Sequence, residues 1–409
     1  MRASNVMNAE EANHPAEAIP IASRAVLLAN MTGFANQLAV SMAHFLTPLF
    51  ALELGASPGV VGLIASASSI AGFVIALPAG KAIDRLGAKR AVSYATLCKT
   101  LSIVIFLVAG APIALIVPTF LIGVFGTIAI LGFHSYVSGL AHGTQRTKGI
   151  SDFALFSSLA ELAGPVGAGS LADLVGFRAA FTCTAIFSAL TLLPLWYLPA
   201  AAQARAEERL TPLRGFRGLL LYRGVQVVLL GSGSFAMLRS FHRAFLPVLL
   251  YDTYSATEIA SLFAVTTVAS VIGRSAVRWT AKLWSVEKAL TFAIVANAVP
   301  LMLMPITLSY LPLAVMMAVF GVSNGFLGVV TVVHTADTVA AQERGLAFGI
   351  RTTLMRFGSF TGQLAFGSFA EITSISLSFF GMGLIGIGAA VMLLWLAGRE
   401  SLAATAEKM

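Results

Sequence analysis

Strongly polar side chains are scarce in this chain, and inside its long apolar runs they recur at helical spacing. Asn30, Gln37, Ser41 and His44 follow one another in steps of three, four and seven residues, which puts them on one helix face. Arg239, His242 and Arg243 fall within little more than one turn, and Arg239 and Arg243, four apart, share a face. Asn324, Thr331 and His334 form a third such stripe, and His134 with Ser138 a fourth. Ionisable groups inside an apolar medium are costly, so each is a candidate for function. The chemistry open to them is recognition: a guanidinium fork grips a carboxylate or phosphate as a lysine does not. Acids are fewer. Asp152 and Glu161 stand nine residues apart, about 180° around a helix, and do not face one cavity. Glu161 is the deeper and is the candidate proton carrier.

The elements that must position these residues follow from composition. Of 409 residues, 57% are hydrophobic and 11% charged, against roughly 25% charged in an ordinary soluble domain. Lipid is the expected solvent. About 20 apolar residues cross a bilayer as a helix, and such runs fall near 24–50, 59–80, 91–110, 113–140, 149–172, 178–198, 224–250, 257–276, 288–308, 312–336, 345–368 and 375–397. They are too long for barrel strands, and a lipid-facing chain must satisfy its backbone internally. The expected fold is an all-α membrane protein of twelve transmembrane helices.

Lysine and arginine set the orientation. With the N-terminus cytoplasmic, 20 of the 26 basic residues fall in inside segments and one, Arg178, in an outside loop. Both termini are therefore expected in the cytoplasm, in a bacterial-type inner membrane. The net charge of +8 then requires no nucleic-acid partner. The expected divisions are a tail at 1–23 with no signal peptide, a six-helix bundle at 24–198, a linker at 199–223, a second bundle at 224–397 and a tail at 398–409. The halves match at a shift of about 198 residues: Arg146 falls on Arg344, Gly164 on Gly362, Gly169 on Gly367 and Asp173 on Glu371. His44-Phe-Leu-Thr-Pro48 resembles His242-Arg-Ala-Phe-Leu-Pro247, one residue longer. These matches predict two six-helix pseudo-repeats around a central cavity.

Two motifs carry a family resemblance. Gly80-Lys81-Ala82-Ile83-Asp84-Arg85-Leu86-Gly87-Ala88-Lys89-Arg90 follows the second run. Gly80 and Gly87 would let a short turn reverse between helices, and Asp84 could sit at a neighbouring helix N-terminus. In the fifth run, Gly164-Pro165-Val166-Gly167-Ala168-Gly169 predicts a bend with close helix contact. The chain resembles the major facilitator superfamily in both. The resemblance implies that Gly80, Asp84, Arg85, Gly87 and Arg90 form a conformational latch, whose repeat copy at 273–278 has Val277 in place of the acid. It implies that helices one, four, seven and ten line the cavity. Gly164, Pro165, Gly167 and Gly169 resemble the proline-glycine motif of antiporters that expel substrates. Ala168 departs from that pattern, and Ile122 stands where drug-proton antiporters carry a basic residue.

These features predict a secondary transporter of a small organic solute working by alternating access, with proton-coupled export as the leading reading and import or exchange of an anionic metabolite as the alternative. Asn30, Gln37, Ser41, His44, His134, Arg239, His242, Arg243, Asn324 and His334 are the expected solute-binding residues. No phosphate-binding Gly-x-x-x-x-Gly-Lys-[Ser/Thr] loop or His-Glu-x-x-His occurs, which argues against an ATP-driven pump and a zinc-dependent membrane enzyme. Cys98 and Cys183 lie in separate apolar runs and read as packing residues. No metal or cofactor is expected, and the chain is expected to be a monomer.

Overall fold

The structure, a computed structural model, describes residues 18–140, 143–198, 223–280, 284–339 and 344–406. Nearly all of the tail at 1–23 and the linker at 199–223 lies outside the described residues. Among the described residues there is no strand. Twelve long helices follow one another: α1 (Ala18–Glu53), α2 (Pro58–Leu86), α3 (Ala88–Val108), α4 (Ile116–Leu140), α5 (Gly143–Val175), α6 (Phe177–Leu190), α7 (Arg223–Leu250), α8 (Ala256–Thr280), α9 (Val286–Leu303), α10 (Tyr310–Thr338), α11 (Arg344–Ile372) and α12 (Ile375–Ala406). A short helix, Leu192–Tyr197, continues α6. Nine of the spans are long and apolar enough to cross a membrane by length and composition alone. The three others, α1, α5 and α11, carry the polar residues described below.

Packing repeats from one half to the other. Helix α1 lies on α5 as α7 lies on α11; α2 lies on α4 as α8 lies on α10; α3 lies on α6 as α9 lies on α12. The halves meet through α2 on α11 and α5 on α8, which the same operation interchanges. Glycine makes this contact possible. A Cβ on Gly62 would stand 2.6 Å from the Gln363 carbonyl oxygen and 2.8 Å from the Gly367 Cα. One on Gly169 would stand 2.6 Å from the Ala256 carbonyl oxygen.

An acid closes each of these contacts. Asp173, at the end of α5, accepts hydrogen bonds from Ala256 N (3.1 Å) and Thr257 N (2.8 Å) at the start of α8. Glu371, at the end of α11, accepts one from Gly59 N (2.9 Å) at the start of α2. The first turn of a helix has unpaired N–H groups and a partial positive charge, so a carboxylate is favoured there. Gly59 and Thr257 differ by the same 198 positions as Asp173 and Glu371, so one clasp is built twice. Both lie at the face opposite the Gly80–Arg90 segment, here called the far face; the other is the basic face. Burial pushes the Asp173 carboxyl up, but the hydrogen bonds from Thr257 and Ala256 outweigh it and hold the group below its ordinary value. Hydrogen bonds from Ser57 and Gly59 hold Glu371 below its own.

The basic face differs from expectation in one detail. Helix α2 runs through Gly80 to Leu86, so the reversal into α3 rests on Gly87 alone, at φ +82°. A residue with a Cβ is strained there. Asp84, Arg85 and Arg90 are exposed, and Asp84 makes no hydrogen bond or ion pair among the described residues.

The twin clasp predicts a measurable loosening of the far face. In a variant with Gln37→Cys as the reporter and Cys98 and Cys183 replaced by serine, Asp173→Ala with Glu371→Ala should raise labelling by an impermeant thiol reagent from the far face several-fold. Because both carboxyls are held below their ordinary values, the clasp persists above the carboxylate range and is lost as pH falls through the lowered values. Labelling without the double change, expressed relative to the same protein unfolded at the same pH so that the thiolate fraction cancels, should therefore stay flat from neutral pH down to the carboxylate range and rise only below it. An unchanged rate in the double variant would refute the clasp.

Candidate functional site

A cavity of about 890 Å³ lies between the halves. From α1 it takes Gln37, Ser41 and His44, which the stripe at helical spacing anticipates, and from α10 Asn324. From α7 it takes Arg239, His242 and Arg243, and from α5 Glu161. The Glu161 carboxylate accepts from Arg239 Nη2 at 3.3 Å (Oε1) and 3.1 Å (Oε2), and lies 3.3 Å from Arg243 Nη2. One acid of the first half thus holds two guanidiniums of the second. All three side chains remain 24–44% exposed to the cavity, so solvent screens the pair and its net worth is modest.

Among the described residues the wall holds five guanidiniums, Arg239, Arg243, Arg274, Arg351 and Arg356, and one carboxylate, Glu161. Every arginine belongs to the second half and Glu161 to the first. Arg274 was assigned to the basic face by sequence, but α8 continues to Thr280 and carries it inside, where Nη1 donates to Ser158 Oγ at 2.7 Å. Arg351 Nε donates to Ser232 Oγ (3.1 Å) and Nη2 to Thr331 Oγ1 (2.8 Å). Arg351 and Arg356 of α11 thus both reach the wall.

Three expected binding residues do not. Asn30 lies on the same face of α1 as Gln37 but two turns nearer the basic face, buried where α1 meets α5, and donates to the Gly149 carbonyl at 3.4 Å. His134 is exposed on α4, edge-on to Phe153 at 4.8 Å. His334 sits near the basic end of α10, half-buried, away from the wall. Helix α4 contributes only Thr119. His242 touches the cavity, but it is 2% exposed, stacked on Phe320 at 4.3 Å with Met317 Sδ at 3.1 Å. It reads as a packed ring more than a contact for a solute. In the fifth-helix motif Pro165 faces the cavity, Gly164 meets Ser41 of α1, Gly169 meets α8, and Gly167 meets nothing within 4 Å.

From sequence Arg351 and Arg356 were both cavity candidates, with the choice between them open; the polar residues around Arg356 were missed. Thr352, Ser359 and Gln363 step with Arg356 along one face of α11 at intervals of four, three and four, and all line the cavity. Their spacing was available in the sequence. Thr266, Ser270 and Arg274 do the same on α8. Lys99 of α3, fully buried away from the cavity, donates to the Asn36 side-chain oxygen and, at 3.3 Å, to the Asn36 carbonyl.

Duplicated six-helix halves around a polar cavity narrow the family, and a family model decides it: the Major Facilitator Superfamily model matches residues 29–254 and again 228–408. The chain belongs to the Major Facilitator Superfamily. It is a multi-pass membrane transporter and not an enzyme. Among solved structures, a point mutant of the nucleoside transporter NupG superposes with a TM-score of 0.80 at 14% identity, over 91% of this chain and 99% of that one. A bacterial homologue of the human lysosomal transporter Spinster, inward-facing and occupied, gives 0.75 at 14% identity, over 94% and 97%. At such identities the likeness is one of fold. No curated protein matches the chain.

In this transporter the ion pair across the halves makes a testable demand. Glu161→Gln leaves Arg239 and Arg243 facing each other and should lower the melting temperature in detergent by a few degrees. Adding Arg243→Gln should restore part of that loss, because it removes the repulsion. A double variant less stable than Glu161→Gln by the full cost of Arg243→Gln alone would show that the charges are not coupled.

Proposed function

We propose that this transporter moves a small organic anion by alternating access, as a secondary active carrier. The observation that carries the reading is the excess of guanidinium on the wall, five against one carboxylate among the described residues. A neutral or cationic solute would leave that excess unmatched at membrane depth. The basic face is read as cytoplasmic, in an inner membrane, from the distribution of lysine and arginine. The clasped far face and the unpartnered Asp84 on the basic face fit an inward-facing state. In that reading Gly80, Asp84, Arg85, Gly87 and Arg90 engage when the carrier turns over.

Coupling follows from competition. Glu161 and an acidic group of the solute are rivals for Arg239 and Arg243. A proton on Glu161 frees the guanidiniums, so proton and anion bind together and cross in the same direction. This linkage favours proton-driven uptake over the proton-coupled export that the fifth-helix motif suggests. Export keeps one support, the close seating of Gly169 on α8, which seals the far face against leak.

Reconstituted in proteoliposomes and offered labelled anionic, neutral and cationic solutes, the protein should accumulate anions only. An inward proton gradient should speed their entry. A neutral or cationic substrate would overturn the anion reading. Anion movement driven only against the direction of proton flow would restore export.

A further inference from the structure

Four of the five cavity guanidiniums have protein acceptors: Arg239 and Arg243 on Glu161, Arg274 on Ser158, and Arg351 on Ser232 and Thr331. Arg356 makes no hydrogen bond and no ion pair among the described residues. Its place is nonetheless closely defined. It projects from α11 of the second half into a slot between α2 and α4 of the first. A Cβ on Gly72 would stand 2.8 Å from Arg356 Nη1, 2.9 Å from its Cζ and 3.1 Å from Thr127 Oγ1. The missing side chain of Gly72 is therefore what admits the guanidinium. Thr352, Ser359 and Gln363 extend the same face of α11 as a polar strip. His44, Arg243 and Arg356 line the same cavity, so the two guanidiniums border one continuous space.

We propose that Arg356 is a second oxyanion subsite, and that the solute carries two acidic groups. This rests on the anion reading above. One acidic group takes Arg239 and Arg243 in exchange for Glu161, and the other takes Arg356, which has no rival acid to displace. A planar fork without an acceptor, held at membrane depth, is suited to a carboxylate or a phosphate monoester. Because Arg356 belongs to one half and its slot to the other, the second acidic group is read at the seam between the halves. A monoanion fills one end only.

The test compares labelled straight-chain monocarboxylates with dicarboxylates of matched length, and with the matching phosphate monoesters of hydroxy acids, in proteoliposomes of the whole chain. The native protein should take the doubly acidic members with a KM at least about tenfold lower than the singly acidic ones, the size expected of one charge-assisted contact. Arg356→Gln should erase most of that preference by raising KM for the doubly acidic solutes far more than for the others. Arg356→Lys, which keeps the charge but not the fork, should recover only part of it. Should Arg356→Gln fail to fold, Gly72→Ala, which puts a methyl where the guanidinium lies, should raise the same KM in the same selective way. Carboxylates and phosphates differ as sources of the second group, and the preferred series identifies which. Equal KM for singly and doubly acidic solutes, or a preference untouched by both Arg356→Gln and Gly72→Ala, would overturn the subsite and leave the anion reading standing. A native protein that takes neither series would remove both.

Discussion

A charged side chain at bilayer depth needs a counter-charge, a set of dipoles or water, and the structure is arranged around meeting that need for five arginines. On insertion scales an arginine at a helix centre costs about 2.5–3.5 kcal/mol. Here the cost is offset by three different means. Glu161 serves two guanidiniums, hydroxyls of Ser158, Ser232 and Thr331 serve two more, and Arg356 keeps a partly exposed place on the cavity wall. Placing the acid in one half and the arginines in the other turns a local need into an attraction between halves. The three helices least able to cross a membrane on apolarity alone are two that bear these charges, α5 and α11, and α1, whose Gln37, Ser41 and His44 face them.

Much of the fold was legible in the sequence because the bilayer fixes span length and the repeat fixes the order. Twelve apolar runs became twelve long helices, and the match of Asp173 with Glu371 at a shift of 198, read in sequence only as a sign of duplication, falls on two equivalent clasps. The partners were not legible. Asp173 binds backbone N–H groups 83 and 84 residues away, and a backbone donor leaves no mark in sequence. The end of α2 was also hidden, because glycine is permissive in either role: Gly80 continues the helix and Gly87 breaks it.

The site was legible by face and not by depth. Helical period put Asn30, Gln37, Ser41 and His44 together on α1, but Asn30 does not meet the cavity, since near the basic face α1 is buried against α5. His334, near the basic end of α10, lies away from the wall as well. The pairing of Glu161 with Arg239 joins residues 78 apart, and no local period announces it. Lys99 shows the converse. A lysine in an apolar run, it serves packing between α1 and α3, where the carbonyl and side-chain oxygens of Asn36 receive it. The polar face of α11 was overlooked because Phe357, Phe360 and Leu354 interleave it and the run reads as apolar.

Closure and recognition obey the repeat to different degrees. The clasps are symmetric: Asp173 and Glu371 correspond, as do Thr257 and Gly59, and the small residues Gly62 and Gly367 that meet on one side correspond to Ala260 and Gly169 on the other. The charges are not. At the same shift Arg239 falls on Ser41, Arg243 on Phe45, Arg351 on Phe153, Arg356 on Ser158, and Glu161 on Ser359. Symmetric closure is what rocking two similar halves about a fixed centre requires, since each half must release the same contact for the far face to open. A solute, by contrast, has ends. A cavity whose cations all come from one half and whose single acid comes from the other presents a direction, and a molecule that binds it is oriented between the halves before either one moves.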